Sequence, residues 1–390
     1  MKHSFDNKWG KKLRGVNLGG WLVLEKWITP SLFDGLEAKD ETSYCVELGA
    51  QAQTRLQQHW DTFITRDDFA WLAKVGINAV RLPVGHWLFG ADYPYHASYG
   101  TVSHPFAVGG LAIVDRVFDW AEEFGLHVVL DLHAASGCQN GFDNGGIKDV
   151  CEWHTNDDYI NHSLSVLERL AERYCQRPAL HAIEVLNEPR WDIDTNLLKK
   201  YTTAAYHRIR QHCKAEDVAV VYHDGFRSHK EYIGFLPEPE FSNVVFDIHR
   251  YQCFVREDID SDIYSHIQKA AIAWKDEADD IIHDLNQPTF CGEWSLGLDL
   301  KVVSLWADGP FNHALEDMDD FQLSLAYRGY AAAQLLTFEK YLGWFFWTYK
   351  TETTPAWCYR DCVNRGWIPD LSNHNSFDHL KSDILRGIGH

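Results

Sequence analysis

HAIEVLNEP (181–189) and TFCGEWS (289–295) decide how this chain folds. Each run is apolar until its last residues and then turns polar. Each also carries an acid near its end, Glu188 in the first and Glu293 in the second. Parallel strands that feed one shared end-face have this pattern. Six further segments read the same way: RGVNLGG (14–20), AVRLPVG (79–85), HVVLDLHA (127–134), AVVYHDG (219–225), VVFDIHRY (244–251) and GWFFWTYK (343–350). Between them lie stretches with helical apolar spacing at 111–125, 162–174, 195–213, 262–274 and 321–341. DDFAWLAKVG (67–76) opens on Asp and closes on Gly, a cap at each end. Strand then helix, eight times over, predicts an α/β chain folded as a (β/α)8 TIM barrel. No Pro/Gly/Ser-rich linker interrupts the repeat, so a single domain is expected over residues 1–390.

The insertions are uneven. Long non-periodic segments follow the first strand (about 21–66), the second (88–108), the third (135–156), the seventh (296–320) and the eighth (351–377). All of them follow strands, so all should rise on the carboxyl-end face, where barrel sites lie. They contain Trp27, Phe33, Phe142, Trp153, Trp306 and Trp357, which predicts ordered walls around a pocket.

Composition narrows the function classes. With 36 Lys and Arg against 56 Asp and Glu, the net charge of −20 lacks the basic footprint of a nucleic-acid binder. It disfavours polyanionic substrates and suits a neutral glycan. Sixteen Trp, 17 Tyr and 21 Phe are many for this length; an aromatic core accounts for such rings, and a sugar-binding cleft would use several, since a pyranose packs its C–H face on them. There is no 20-residue apolar run, so no membrane span is expected. MKHSFDNKWGKK (1–12) lacks the apolar stretch of a signal peptide, which makes a reduced, cytoplasmic setting the expectation. The nine cysteines are scattered without a CxxC pair. Cys358 with Cys362, or Cys138 with Cys151, are the pairs to consider in an exported form.

Alternation along strands groups the polar residues. Asp131 shares a face with His133, His249 with Tyr251, Glu184 with Glu188, and Phe345 with Trp347 and Tyr349. Ionisable groups aimed into a barrel mouth are costly unless they pair or function. Asn187 and Glu188 reach one site only if the strand breaks there, and Pro189 makes such a break plausible. Two carboxylates across one cleft are the minimum for cleaving a glycosidic bond. Glu184 and Asp131 are expected lower in the barrel as buried, hydrogen-bonded acids, and His223 and Asp224 end the fifth strand. Without an HxH or HExxH pattern, no metal is expected, and side chains fill every role, so no cofactor is implied.

The motifs VRLPVG (80–85), DLHAASGCQNGFDNGG (131–146), EVLNEP (184–189), HRYQCF (249–254), GEWS (292–295) and GWFFWTYKTE (343–352) stand in order on consecutive expected strands. With RGVNLGGWLVLEKWITPSLF (14–33) ahead of them, the chain resembles glycoside hydrolase family 5, in particular its fungal exo-β-1,3-glucanases, from residue 14 to about Pro369. The resemblance implies a retaining mechanism, with Glu188 as acid/base and Glu293 as nucleophile. It places Arg81 beneath the nucleophile, Tyr251 as a hydrogen-bond donor to it, and His133 and His249 as active-site histidines. Asn187 would bind the sugar 2-hydroxyl and Trp347 would floor the site. Glu25 would hold the non-reducing-end sugar, Phe142 and Phe254 would grip the next one, and Asn144 would make a nearby polar contact. A neutral β-glucan is then the substrate.

The chain departs from the fungal pattern at several points. Lys26 stands where Pro usually follows the first-loop acid, Ala134-Ala135-Ser136-Gly137-Cys138 replaces Gly-Ala-Pro-Gly-Ser, and His86 replaces an aromatic. These differences bear on linkage and chain-length preference. An endo-glucanase, a glucosidase for other linkages or glycolipids, and a silent glycan-binding barrel are the competing readings.

Overall fold

A computed structural model describes residues 12–90, 104–305, 313–369 and 371–372. Eight strands close a parallel barrel in sequence order. They are β1 (Leu13–Asn17), β2 (Ala79–Gly85), β3 (His127–Ala134), β4 (Leu180–Glu184), β5 (Ala219–His223), β6 (Val244–Arg250), β7 (Thr289–Trp294) and β8 (Gly343–Phe346). Every strand falls within, or within two residues of, a segment picked out by its apolar run. Helices form where spacing predicted them, at Arg66–Lys74, Gly110–Phe124, Asp157–Tyr174, Thr195–Arg210 and Asp320–Phe338. The stretch at 262–274 instead divides into a helix at Ile263–Gln268 and a π turn at Lys269–Ala273, and continues as a helix over Trp274–Leu285.

The segment after β1, read as non-periodic, holds two helices, Glu41–Leu48 and Ala50–Thr62. The first starts on a capping box in which Asp40 accepts from Ser43 N and the Ser43 hydroxyl accepts from Asp40 N. The second, AQAQTRLQQHWDT, buries only Ala52, Leu56, His59 and Trp60, a stripe too thin to stand out among so many polar residues.

The chain comprises two compact units. The larger is Asn17–Ala73 with Asn78–Asp247, and carries β2 to β5 and most of β6. Its strand register pairs Arg81 with Val129, Asp131 with Glu184, Glu184 with Val221, and His223 with Asp247. Since every second residue shares a face, Arg81, Asp131, Glu184, His223 and Asp247 all fall on one side of this sheet. Behind it, a Cys175–Cys213 disulfide joins residues just beyond the ends of helices Asp157–Tyr174 and Thr195–Arg210. The pairs considered from sequence are not the bonded ones, because Cys138, Cys151, Cys358 and Cys362 are free thiols. Each of the bonded cysteines follows a helix whose apolar face packs inward, and only that packing brings them together.

The smaller unit is Met1–Val16, Lys74–Ile77 and Ile248–His390. Here β8 pairs with β1 and β7. Trp294 meets Trp344 and Phe346 edge-on, at 5.5 and 5.0 Å between ring centres, and packs against Phe338 of helix Asp320–Phe338. Among the described residues, no helix is long and apolar enough to cross a membrane. Of the aromatics expected in the loops, Phe33 and Trp153 are buried core, Trp27 and Trp357 are half-buried, and Phe142 is exposed. Trp306 lies outside the described residues.

Candidate active site

In the larger unit the site grows from Arg81, which is fully buried on β2. Its guanidinium grips Glu184 with two bonds, Nε to Oε2 at 2.7 Å and Nη2 to Oε1 at 3.0 Å. It also donates to Asn17 Oδ1 at 3.0 Å and Asn187 Oδ1 at 2.8 Å, and lies 3.2 Å from Asp131 Oδ2. Two acids, Glu184 and Asp131, therefore share one cation, and a third, Asp247, acts on Glu184 by its charge. Burial, then the charges of Asp131 and Asp247, push the Glu184 carboxyl well above the usual range, against the pull of Arg81. Asp131 Oδ2 also meets His133 Nδ1 at 2.6 Å and fixes that ring. Glu184 and Asp131 are thus the buried, hydrogen-bonded acids expected from their positions.

β4 ends at Glu184, four residues before Glu188. The chain then leaves the strand, and Glu188 adopts φ +42°, a left-handed backbone rare for a non-glycine residue. This is the break that the adjacency of Asn187 and Glu188 required. Gln139 holds the departing segment, its amide donating to His133 O at 2.7 Å and Asn187 O at 2.8 Å. Glu188 is 6 % exposed and its Oε2 accepts from Asn144 Nδ2 at 3.1 Å. Asn140 in turn donates to Asn144 Oδ1 at 3.0 Å, and Phe142, between them in sequence, is exposed. His223, at the end of β5, accepts from Gly225 N at 2.9 Å and meets Phe226 edge-on.

Glu25 sits in the loop after β1, buried, in an antiparallel bridge with Asp40. Its Oε2 accepts from Trp27 Nε1 at 2.9 Å. Behind it, Leu24 N donates to Glu41 Oε2 at 2.9 Å, and burial pushes the Glu41 carboxyl up to about 8.

In the smaller unit Glu293, on β7, is 3 % exposed. Its Oε2 accepts from the Tyr251 hydroxyl at 2.8 Å and lies 3.4 Å from His249 Nδ1. Tyr251 touches Phe254 and Trp357, at 5.4 and 5.3 Å between ring centres, and these two rings are 6.3 Å apart. Phe254 is exposed. Trp347 is buried, its N donates to Trp294 O at 2.7 Å, and the Trp347–Thr348 peptide is cis.

The structure therefore brings Arg81, Asn187 and His133 into one bonded network in the larger unit, with Glu188 and Asn144 as a second bonded pair. Glu293, Tyr251, His249 and Phe254 group in the smaller unit. Sequence reasoning missed Gln139 and Gly297. Gln139 bonds the end of β3 to the segment that follows β4, and a polar residue inside a loop motif carries no sign of that. A Cβ at Gly297 would fall inside the Trp357 indole, so this glycine lets that ring lie beside Tyr251. A glycine soon after the strand that carries Glu293 was the available signal.

Comparison with known proteins agrees with this architecture. The model of the family described as Cellulase (glycosyl hydrolase family 5) matches residues 41–351. The chain is 37 % identical to a glucan 1,3-β-glucosidase of Blumeria graminis, over 95 % of this chain and 88 % of that one. It is also 37 % identical to a probable glucan 1,3-β-glucosidase A of Aspergillus fumigatus, over 94 % and 89 %. Among solved structures, a rutinosidase from Aspergillus niger superposes with a TM-score of 0.72 at 22 % identity, covering 92 % of this chain and 99 % of that one, a likeness of fold.

Proposed function

The chain belongs to glycosyl hydrolase family 5, and from that premise we propose that it is an exo-acting β-1,3-glucanase that releases glucose from non-reducing ends of β-1,3-glucan with retention of configuration. It is a glycoside hydrolase. The likeness to glucan 1,3-β-glucosidases along nearly the whole chain carries the substrate.

In this reading Glu293 attacks the anomeric carbon from the face opposite the leaving group. The Tyr251 hydroxyl, on the attacking carboxylate, favours its charged form and aims it. Glu188 gives its proton to the departing glycosidic oxygen, then as carboxylate takes one from water, which attacks the glycosyl–Glu293 ester and releases glucose and free Glu293. Asn144 orients Glu188. Asn187, held through Oδ1 by Arg81, offers its amide to the sugar 2-hydroxyl, a contact that strengthens as charge develops at the ring. Glu25, positioned by Trp27, receives the hydroxyls of the non-reducing end, and Trp347 supplies an apolar floor. Phe142 and Phe254, both exposed, take the faces of the following sugar.

Incubation with laminarin tests the proposal. Glucose as the sole early product, released as the β-anomer by NMR, is the expected outcome. Early laminaribiose and longer fragments would make the enzyme endo-acting, and no hydrolysis alongside cleavage of another β-linkage would reassign the substrate. Glu293→Gln should abolish aryl β-glucoside hydrolysis while still binding glucan, and unchanged turnover would remove Glu293 from its role.

A further inference from the structure

Among the described tryptophans, Trp191 alone is exposed, at 58 % of its surface. It stands three residues beyond Glu188, on the segment by which the chain leaves the barrel mouth, and neither the fold nor the reaction above uses it. A large ring left in water costs hydrophobic free energy without any gain in packing. Its backbone, moreover, is held firmly. Arg190 N donates to Gln139 O at 3.1 Å, and Ile193 N to Arg190 O at 3.1 Å. Arg227 Nη2 donates to Arg190 O at 3.2 Å and also to Ile193 O, bracketing Trp191 on both sides. Arg190 and Asp192 pair through two bonds at 2.6 and 3.0 Å, and Ile193 is buried. The exposed indole is therefore presented on a fastened turn, and holding it there costs little ordering entropy on binding.

The position of this turn says what it meets. Arg190 Nη1 lies within 3.9 Å of where a Cβ on Gly141 would stand, so the turn abuts the loop that carries Phe142 and, through Asn144, the hydrogen bond to Glu188. Trp191 thus follows the acid that protonates the leaving group and adjoins the loop of the ring assigned to the first leaving-group sugar.

We infer that Trp191 is a specificity-determining sugar platform for glucosyl units beyond the first leaving-group sugar, so that this enzyme favours longer β-glucan chains over disaccharides. The inference rests on the β-glucanase reading above. A neutral pyranose suits the site because its apolar face stacks on an indole and no charge is required of it.

The test compares Trp191→Ala with wild type on an aryl β-glucoside, laminaribiose and laminaripentaose. The expected result is a KM for laminaripentaose raised about five- to tenfold with kcat preserved, as for loss of binding shared by ground and transition states. Turnover of the aryl glucoside and of laminaribiose should stay within about twofold of wild type, and Trp191→Phe should recover most of the loss. Equal effects on all three substrates, or no effect on the pentaose, would overturn the platform and leave the β-glucanase reading standing. If wild type cleaves the aryl glucoside but neither oligosaccharide, the β-1,3-glucanase reading fails and this inference with it. Thermal melting of the variant separates a folding defect from a binding one, since more than half of the Trp191 surface is already exposed and the midpoint should move little.

Discussion

The Tyr251 hydroxyl donates a 2.8 Å hydrogen bond to Glu293 Oε2, and the same ring leans on Trp357 and Phe254. One side chain thus links the proposed nucleophile to an aromatic wall. Hydrogen bonds to charged groups contribute about 1.5–3 kcal/mol. Tyr251→Phe should therefore lower kcat/KM for an aryl β-glucoside roughly 10- to 100-fold while the protein remains folded. A loss below twofold would detach Tyr251 from Glu293 in the working enzyme.

Gly297→Ala should act through Trp357. The added methyl occupies the indole's place, so the ring must swing away from Tyr251 and Phe254 or the backbone must shift. Overpacking of this kind costs about 1–3 kcal/mol. The expected signature is a lower melting temperature together with a raised KM for oligosaccharides, read by calorimetry and steady-state kinetics.

Arg81→Met should be among the most destabilising single changes in the chain. It leaves Glu184 and Asp131 buried without their cation, and breaking such pairs costs about 3–5 kcal/mol. Arg81→Lys keeps the charge but cannot form the two-pronged grip on Glu184 or reach Asn17 and Asn187 together, so it should fall between Met and wild type. Urea unfolding orders the three proteins.

Glu41 predicts a pH dependence. Its folded carboxyl titrates near 8 against an ordinary value of 4.5, so the native state keeps a proton that the unfolded chain releases. The stability this gives is fully present below 4.5, declines as pH rises, and is lost once pH passes through about 8. Glu41→Gln preserves an acceptor for Leu24 N and removes the titration. Its melting temperature should fall less than that of wild type between pH 5 and 8, and parallel curves would rule out Glu41 as the cause.

Strands were legible wherever burial on both faces wrote a continuous apolar run, as at HVVLDLHA and TFCGEWS, because such runs need no knowledge of their neighbours. Helix Ala50–Thr62 escaped because only four of its residues are buried. The disulfide escaped for a different reason. Cys175 and Cys213 are 38 residues apart, and nothing local marks two helix ends as neighbours.

The same division holds at the site. The two acids, Glu293 on its strand and Glu188 just beyond one, are legible in the sequence alone, since acid identity and apolar pattern are local properties. Tertiary structure decided the rest: that Arg81 spends both prongs on Glu184, that Glu188 turns through φ +42° under the hold of Gln139 on the preceding segment, and that Trp191 stands in water on a fastened turn. A guanidinium chooses among acids by distance, and distance between strands remote in sequence exists only once the barrel has closed.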